Sequence, residues 1–142
     1  MNELEKSIWK ILGKGQIAAL ATITEDGNPW VRYVTIEADE DFTLRCCTSL
    51  GARKAKQILK NPEVHLTCGN LRPPDDSAFL QIAGRAEIRS DRKTREKYWK
   101  EEWRGYFKGP EDPDFVMVFI QPILIEYNAP RAMTAEIWKR ES

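Results

Sequence analysis

Arg53 and Lys54 are the residues whose placement most suggests chemistry. They follow Thr48-Ser49-Leu50-Gly51-Ala52, and the run through Ala55 to Asn61-Pro62 has the make-up of a short helix closed by proline. Two cations thus fall in a helix's first turn, where free N–H groups already carry partial positive charge and each cation costs about 0.3–1 kcal/mol. An anion there reverses the sign. Backbone N–H groups, the hydroxyls of Thr48 and Ser49 and the two cations together form a phosphate cradle. The alternative is a surface helix with two solvated charges, its start capped by Thr48 or Ser49.

Arg32 is the second candidate. On a strand it shares a face with Trp30, Val34 and Ile36, which is otherwise apolar, so its charge needs a partner. That partner is a ligand at a barrel rim or, alternatively, a carboxylate or solvent reached by snorkelling. Trp99 and Trp103, spaced i, i+4, read as packing residues. Trp138, in a polar tail, docks either on its own barrel or on a partner chain. His65 is the only histidine and reads as a solvent-facing strand residue. No Ser/His/Asp arrangement, buried carboxylate pair, dinucleotide fingerprint or P-loop is visible. Chemistry, where present, falls to a cofactor.

These residues need a scaffold. The chain of 142 residues suits a single domain, 1–142, with one core. Leu4, Ile8, Ile11 and Leu12 recur at helical spacing, and Gly13 and Gly15 end that helix. Gln16 to Thr24 reads as a strand, 25–29 as a turn with Asp26-Gly27 as its hairpin signal, and Trp30 to Glu37 as the return strand. Phe42 to Cys47 and Glu63 to Cys68 flank the central helix. A proline-containing loop over 70–76 leads into a long strand, Ala78 to Arg89, with a bulge at Gly84. Ser90 or Asp91 caps a helix running to about Trp103, and Phe115 to Tyr127 is the last strand, with Pro122 at an edge or bulge. The tail over 128–142 reads as a short helix or an extended arm. Six strands with tight turns and few helices predict a mainly β fold, an antiparallel barrel.

Composition narrows the partners. Lysine plus arginine and aspartate plus glutamate number 22 each, so no bulk charge draws the chain to nucleic acid or a membrane surface. Near-zero net charge permits oligomers. No apolar run reaches the about 20 residues a membrane span needs, and no signal peptide is visible in the first ten residues. Cys46, Cys47 and Cys68 form no C-x-x-C pair, which makes a zinc site an unfavoured reading, and free thiols point to a reducing, cytoplasmic setting.

The segment Thr48 to Lys54, with Gln57-Ile58, Asn61-Pro62 and Val64, resembles the FMN-binding segment of the pyridoxamine 5'-phosphate oxidase family. Gly27-x-Pro29-x-x-Arg32, Gly84-x-Ala86-Glu87 and Phe115 to Tyr127 are similar to its other strands. The likeness spans about Leu4 to Tyr127, and the short length resembles the general-stress-protein branch. The resemblance implies a six-stranded split-barrel homodimer with FMN in a groove between subunits. It implies Arg53 and Lys54 on the phosphate, helped by Thr48 or Ser49, and Arg32 with the backbone around Tyr33 and Val34 on the flavin. It implies flavin redox on a small substrate. Its alternatives are a non-catalytic flavin-binding or stress-response protein and a barrel using a deazaflavin, with heme less favoured by the single histidine. The oxidase's lysine at the end of the second strand is Glu37 here, and its glutamine on the fifth strand aligns with Phe79. Pyridoxamine phosphate oxidation itself is therefore not expected.

Overall fold

A computed structural model describes residues 1–69 and 77–142; the loop expected over 70–76 lies outside them. Helix α1 (Glu3–Leu12) starts at Asn2, whose side chain accepts the Glu5 N–H while the Glu5 carboxylate accepts the Asn2 N–H. Its Ile8 and Leu12 are fully buried and enter the core. β1 (Gln16–Ile23) turns at Gly27, whose φ of +81° suits a residue without Cβ, and pairs with β2 (Pro29–Ala38) over eight residue pairs. β3 (Leu44–Ser49), α2 (Arg53–Lys60), β4 (Glu63–Gly69) and β5 (Phe79–Arg89) follow. Next come α3 (Arg92–Tyr98), a 3-10 turn (Glu101–Gly105), β6 (Phe115–Asn128) and β7 (Glu136–Lys139).

The strand order is β3-β2-β1-β4-β5-β6, and β3 also pairs with β6, so six antiparallel strands close into a barrel. β7 adds to the outside of β6. Alternation fills the interior: Leu20, Ile36, Leu44, Leu66, Ile82 and Ile120 all point inward and are buried. The register slips between Ala83 and Gly84, where Gly84 faces Pro122. A Cβ on Gly84 would stand 2.8 Å from the Gln121 carbonyl oxygen. The expected bulge is thus a close backbone approach, and Pro122 sits against it.

The barrel is split on one side. β2 pairs with β3 only through Glu37–Arg45 and Ala38–Leu44. Among the described residues no strand lies beside its edge over 29–36, while its other edge there is paired to β1. A bare strand edge leaves backbone donors and acceptors open to another partner.

Two expectations need correction. β3 begins at Leu44, not Phe42, and runs on through Thr48 and Ser49, which pair with Val116 and Phe115. Phe42 sits in a turn with φ 71°, an unfavourable backbone offset by burying its ring against Trp138 at 5.2 Å. The helix expected to reach Trp103 stops at Tyr98. The chain extends at Trp99 (φ −59°, ψ 139°), which lets both indoles pack on Phe115, with ring centroids 5.2 and 5.6 Å away. Packing two half-buried indoles on Phe115 outweighs one further turn of a short helix. Of the two readings of the tail the extended one holds, as strand β7, and Trp138 folds back on its own barrel, its indole N–H donating to Glu5.

Packing outside the barrel explains the continuous apolar run of β6. Phe115 to Ile120 are all buried, one face inward and the other under Tyr98, Trp99, Trp103 and Phe107. Cys46 and Cys47 point to these two opposite sides as adjacent strand residues must; Cys46 belongs to the barrel core and Cys47 packs against the outer cluster. His65 is exposed on the outer face of β4.

Candidate functional site

The split, the start of α2 and Arg32 meet at one rim of the barrel. Arg32 lies on the inward register of β2 with Val34 and Ile36 and is half-buried. Its guanidinium donates to the Leu20 carbonyl oxygen at 3.2 Å, to Thr22 Oγ1 at 2.7 Å and to Gln57 Oε1 at 3.1 Å. Thr22 is fully buried, and its hydroxyl donates to the same Gln57 oxygen. Gln57 comes from α2, so this network fixes the helix to the rim. Neither alternative drawn from sequence, carboxylate or solvent, describes Arg32. Its partners among the described residues are all neutral oxygens, which hold the side chain and leave its charge in place. Burial lowers the Arg32 pKa, and the nearby positive charge of Arg53 lowers it further.

Arg53 and Lys54 do open α2, as the sequence predicts. Ala52 is the N-cap residue, and among the described residues no side chain caps the helix. The first-turn N–H groups therefore lack the usual oxygen from a preceding residue. Arg53 lies over the Trp30 ring, its guanidinium carbon 4.6 Å from the centroid. Among the described residues no carboxylate pairs with Arg32, Arg53 or Lys54. On the same helix, Lys60 does find one, in Glu25.

The two hydroxyls separate. Ser49 faces outward; it donates to Asp114 Oδ2 at 2.6 Å and accepts from the Gly51 N–H at 3.3 Å. The Ala52 N–H donates to the Ser49 carbonyl oxygen at 3.0 Å, so Ser49 shapes the turn that delivers α2. Thr48 faces inward, and its Oγ1 is buried with no hydrogen-bond partner among the described residues. An orphaned buried hydroxyl costs about 1–3 kcal/mol. Tyr33 and Val34 lie on the bare edge of β2: Val34 points into the core, and Tyr33 points out, 81% exposed.

Sequence reasoning missed Thr22, and it had Gln57 only as part of the segment that resembles the family, without its tie to Arg32. The alternation of β1 placed Thr22 on the inward face with Leu20, and a buried threonine opposite an inward arginine was the available signal. Glu37, marked as a departure, is engaged by Lys100 and, at 3.6 Å, by Arg45. Among the described residues no cluster of His, Cys, Asp and Glu could hold a metal ion, and no helix is long and apolar enough to cross a membrane.

A closed six-stranded barrel split beside an unpaired cationic rim defines the class as the split β-barrels of the oxidase type. The match to the pyridoxamine 5'-phosphate oxidase family covers residues 4–129, and the chain belongs to that family. Its relatives place it in the general-stress-protein branch. It is 29% identical to general stress protein 26 of Bacillus subtilis over 120 residues, 84% of each chain. The crystal structure of general stress protein 26 from Bacillus anthracis superposes with a TM-score of 0.80 at 26% identity, covering 96% of this chain and 98% of that one. A candidate pyridoxamine 5'-phosphate oxidase of Listeria innocua superposes with a TM-score of 0.75 at 32% identity, covering 88% and 98%.

Proposed function

We propose that this chain binds FMN in the barrel split and carries out flavin redox on a small substrate. One observation carries the reading. Arg32 and Arg53 stand close enough for one to depress the pKa of the other, and with Lys54 they have no described carboxylate. Like charges gathered at an uncapped helix start are stabilised by a dianion, and FMN supplies a phosphate. Family membership adds support, since these barrels typically bind flavin.

Each residue then has a task. Arg53 and Lys54 hold the phosphate together with the N–H groups of the first turn of α2. Ser49 sets the turn, and the Thr48 hydroxyl supplies a spare donor beneath it. Arg32, fixed by Leu20, Thr22 and Gln57, keeps unused N–H donors for the flavin. The backbone of Tyr33 and Val34, on the bare β2 edge, meets the ring's polar atoms. The bound flavin supplies the hydride or electron transfer that no side chain of the site provides. A fixed guanidinium nearby favours negative charge on a reduced ring.

The second subunit of a homodimer closes the groove. Ile17 and Val31 are about two-thirds exposed, at 65% and 64%, and Tyr33 joins them on the outer face of β1 and β2. A contiguous apolar face of this kind fits a subunit contact. Light scattering distinguishes monomer from dimer.

The purified protein should be yellow or should take up FMN saturably. A colourless protein that does not bind added FMN would refute the proposal, and preference for a deazaflavin would redirect it. The second reading, a flavin-binding protein without turnover, is favoured by Glu37 being held in ion pairs rather than free for proton transfer. Stopped-flow mixing with NADH and NADPH separates the two: a bound flavin that neither nucleotide reduces supports the carrier.

A further inference from the structure

The rim cations Arg32 and Arg53 are held by different means. Arg53 and Gln57 lie four residues apart on α2 and share a helix face. Trp30 and Arg32 lie two residues apart on β2 and share a strand face. The helix meets the strand through both pairs. Gln57 Oε1 accepts from Arg32 at 3.1 Å, and the Arg53 guanidinium carbon stands 4.6 Å from the centre of the Trp30 ring. Trp30 also sits directly across from Thr22 in the β1–β2 ladder, so the indole borders the network that holds Arg32.

An indole face attracts a guanidinium through its ring charge distribution and takes none of the five N–H donors along the guanidinium plane. A carboxylate would order Arg53 as well, but it would occupy two of those donors and cancel the charge. Among the described residues no carboxylate does so. The pair is also reachable. Trp30 is 47% exposed, and with Arg53, Lys56 and Asn28 it lines an open cavity of about 460 Å³ between the β1–β2 hairpin and α2. A free arginine samples many rotamers, and a ligand that needs one of them binds more weakly in proportion to the fraction not already in place.

We propose that Trp30 is a positioning residue of the anion cradle: its ring holds Arg53 at the first turn of α2, charged and with its donors free, so that a phosphate group meets an ordered guanidinium. That the phosphate belongs to FMN rests on the flavin reading; the role of Trp30 toward an anion does not.

Trp30→Leu removes the π face and keeps apolar bulk, whereas Trp30→Phe keeps a weaker π face. Each variant, alone and combined with Arg53→Ala, is compared with the parent by calorimetric titration of the full chain with FMN, riboflavin and inorganic phosphate. Circular dichroism checks the fold. A contact of this kind shifts a population about two- to fivefold. Trp30→Leu should therefore raise the Kd of FMN and of phosphate about two- to fivefold and leave that of riboflavin unchanged. Trp30→Phe should fall between Trp30→Leu and the parent. In the Arg53→Ala background Trp30→Leu should change nothing, because the side chain it positions is gone. A merely structural tryptophan would keep its effect there. The contact itself is read by NMR. The arginine Nε–Hε resonance that Arg53→Ala removes should lie upfield in the parent, shielded by the indole face, and move downfield in Trp30→Leu.

Equal losses for FMN and riboflavin, a Trp30→Leu effect that survives Arg53→Ala, or an unmoved Hε resonance would each overturn the inference. A chain that binds phosphate with this dependence on Trp30 and Arg53, but not FMN, would keep it and refute the flavin proposal alone. A chain that binds neither would refute both.

Discussion

Replacing Arg53 by alanine isolates the phosphate term of the cradle. Arg53 touches little of its own protein: it lies over Trp30 and has no described ion pair. Losing that exposed cation–π contact costs about 0.5–1 kcal/mol. Removing a cation from the first turn of α2 returns about 0.3–1 kcal/mol, and Arg32 is relieved of a like charge. The two effects nearly cancel, so the thermal midpoint of the ligand-free variant should stay within about 4 °C of the parent. Against FMN nothing cancels. A charge-assisted hydrogen bond contributes about 1.5–3 kcal/mol, so Kd should rise about 10- to 150-fold. Riboflavin has the same ring and no phosphate, and its Kd should change by less than about threefold. Titration by flavin fluorescence quenching at low and high salt measures both. The FMN affinity of the parent should fall with salt more steeply than that of the variant, because one screened pair is gone. Equal losses for FMN and riboflavin would refute the phosphate assignment, and so would an unchanged FMN affinity.

The remaining expectations concern the scaffold. Gly84→Val forces atoms against the Gln121 carbonyl oxygen at the bulge, so it should lower stability by about 1–3 kcal/mol in urea unfolding. Trp138→Ala removes the ring packed on Phe42 and should cost about 2 kcal/mol or more without changing the oligomeric state, checked by melting and light scattering. Burial pushes the Cys46 and Cys68 thiols up to about 12 from 9.0. Because the folded values are raised, the unfolded chain loses these protons first as pH rises. Stability should hold below pH 9.0 and fall between there and about 12 by about 1.4 kcal/mol per pH unit for each thiol. Cys68→Ala should remove about half of that slope, measured by urea midpoints across the window.

Local signals with one physical reading were legible in the sequence. Asp26-Gly27 has few homes besides a hairpin, Gly84 could only mark a bulge or close approach, and Pro62 had to end α2. The helical period of Leu4, Ile8, Ile11 and Leu12 has one apolar face to bury. What failed depended on contacts distant along the chain. The α3 pattern continues past Tyr98 in composition, but Phe115 draws Trp99 and Trp103 off the helix. Phe42 accepts a left-handed backbone because Trp138, nearly a hundred residues on, covers its ring. β3 runs two residues further because β6 is there to pair with Thr48 and Ser49. Arg53 and Lys54 were visible as misplaced charges; the tie of Thr22 and Gln57 to Arg32 was not, because a threonine and a glutamine acquire that meaning only once an arginine is brought between them.

That network makes the cation at the rim available. An inward arginine can be held by a carboxylate or by neutral oxygens. A carboxylate holds it more strongly and cancels its charge, leaving nothing for a ligand. Arg32 takes the other course: Leu20, Thr22 and Gln57 accept three hydrogen bonds of the five its guanidinium can donate. Two N–H groups and the full charge remain, at the cost of desolvation and of the proximity of Arg53. Gln57→Glu tests this reasoning because it changes shape least and charge most. The new carboxylate would pair with Arg32 and could add about 1 kcal/mol or more to stability. The same substitution should weaken FMN and riboflavin together, since Arg32 is assigned to the ring and not to the phosphate. Loss confined to FMN would move Arg32 into the phosphate cradle, and retention of both affinities would show that its charge is not used.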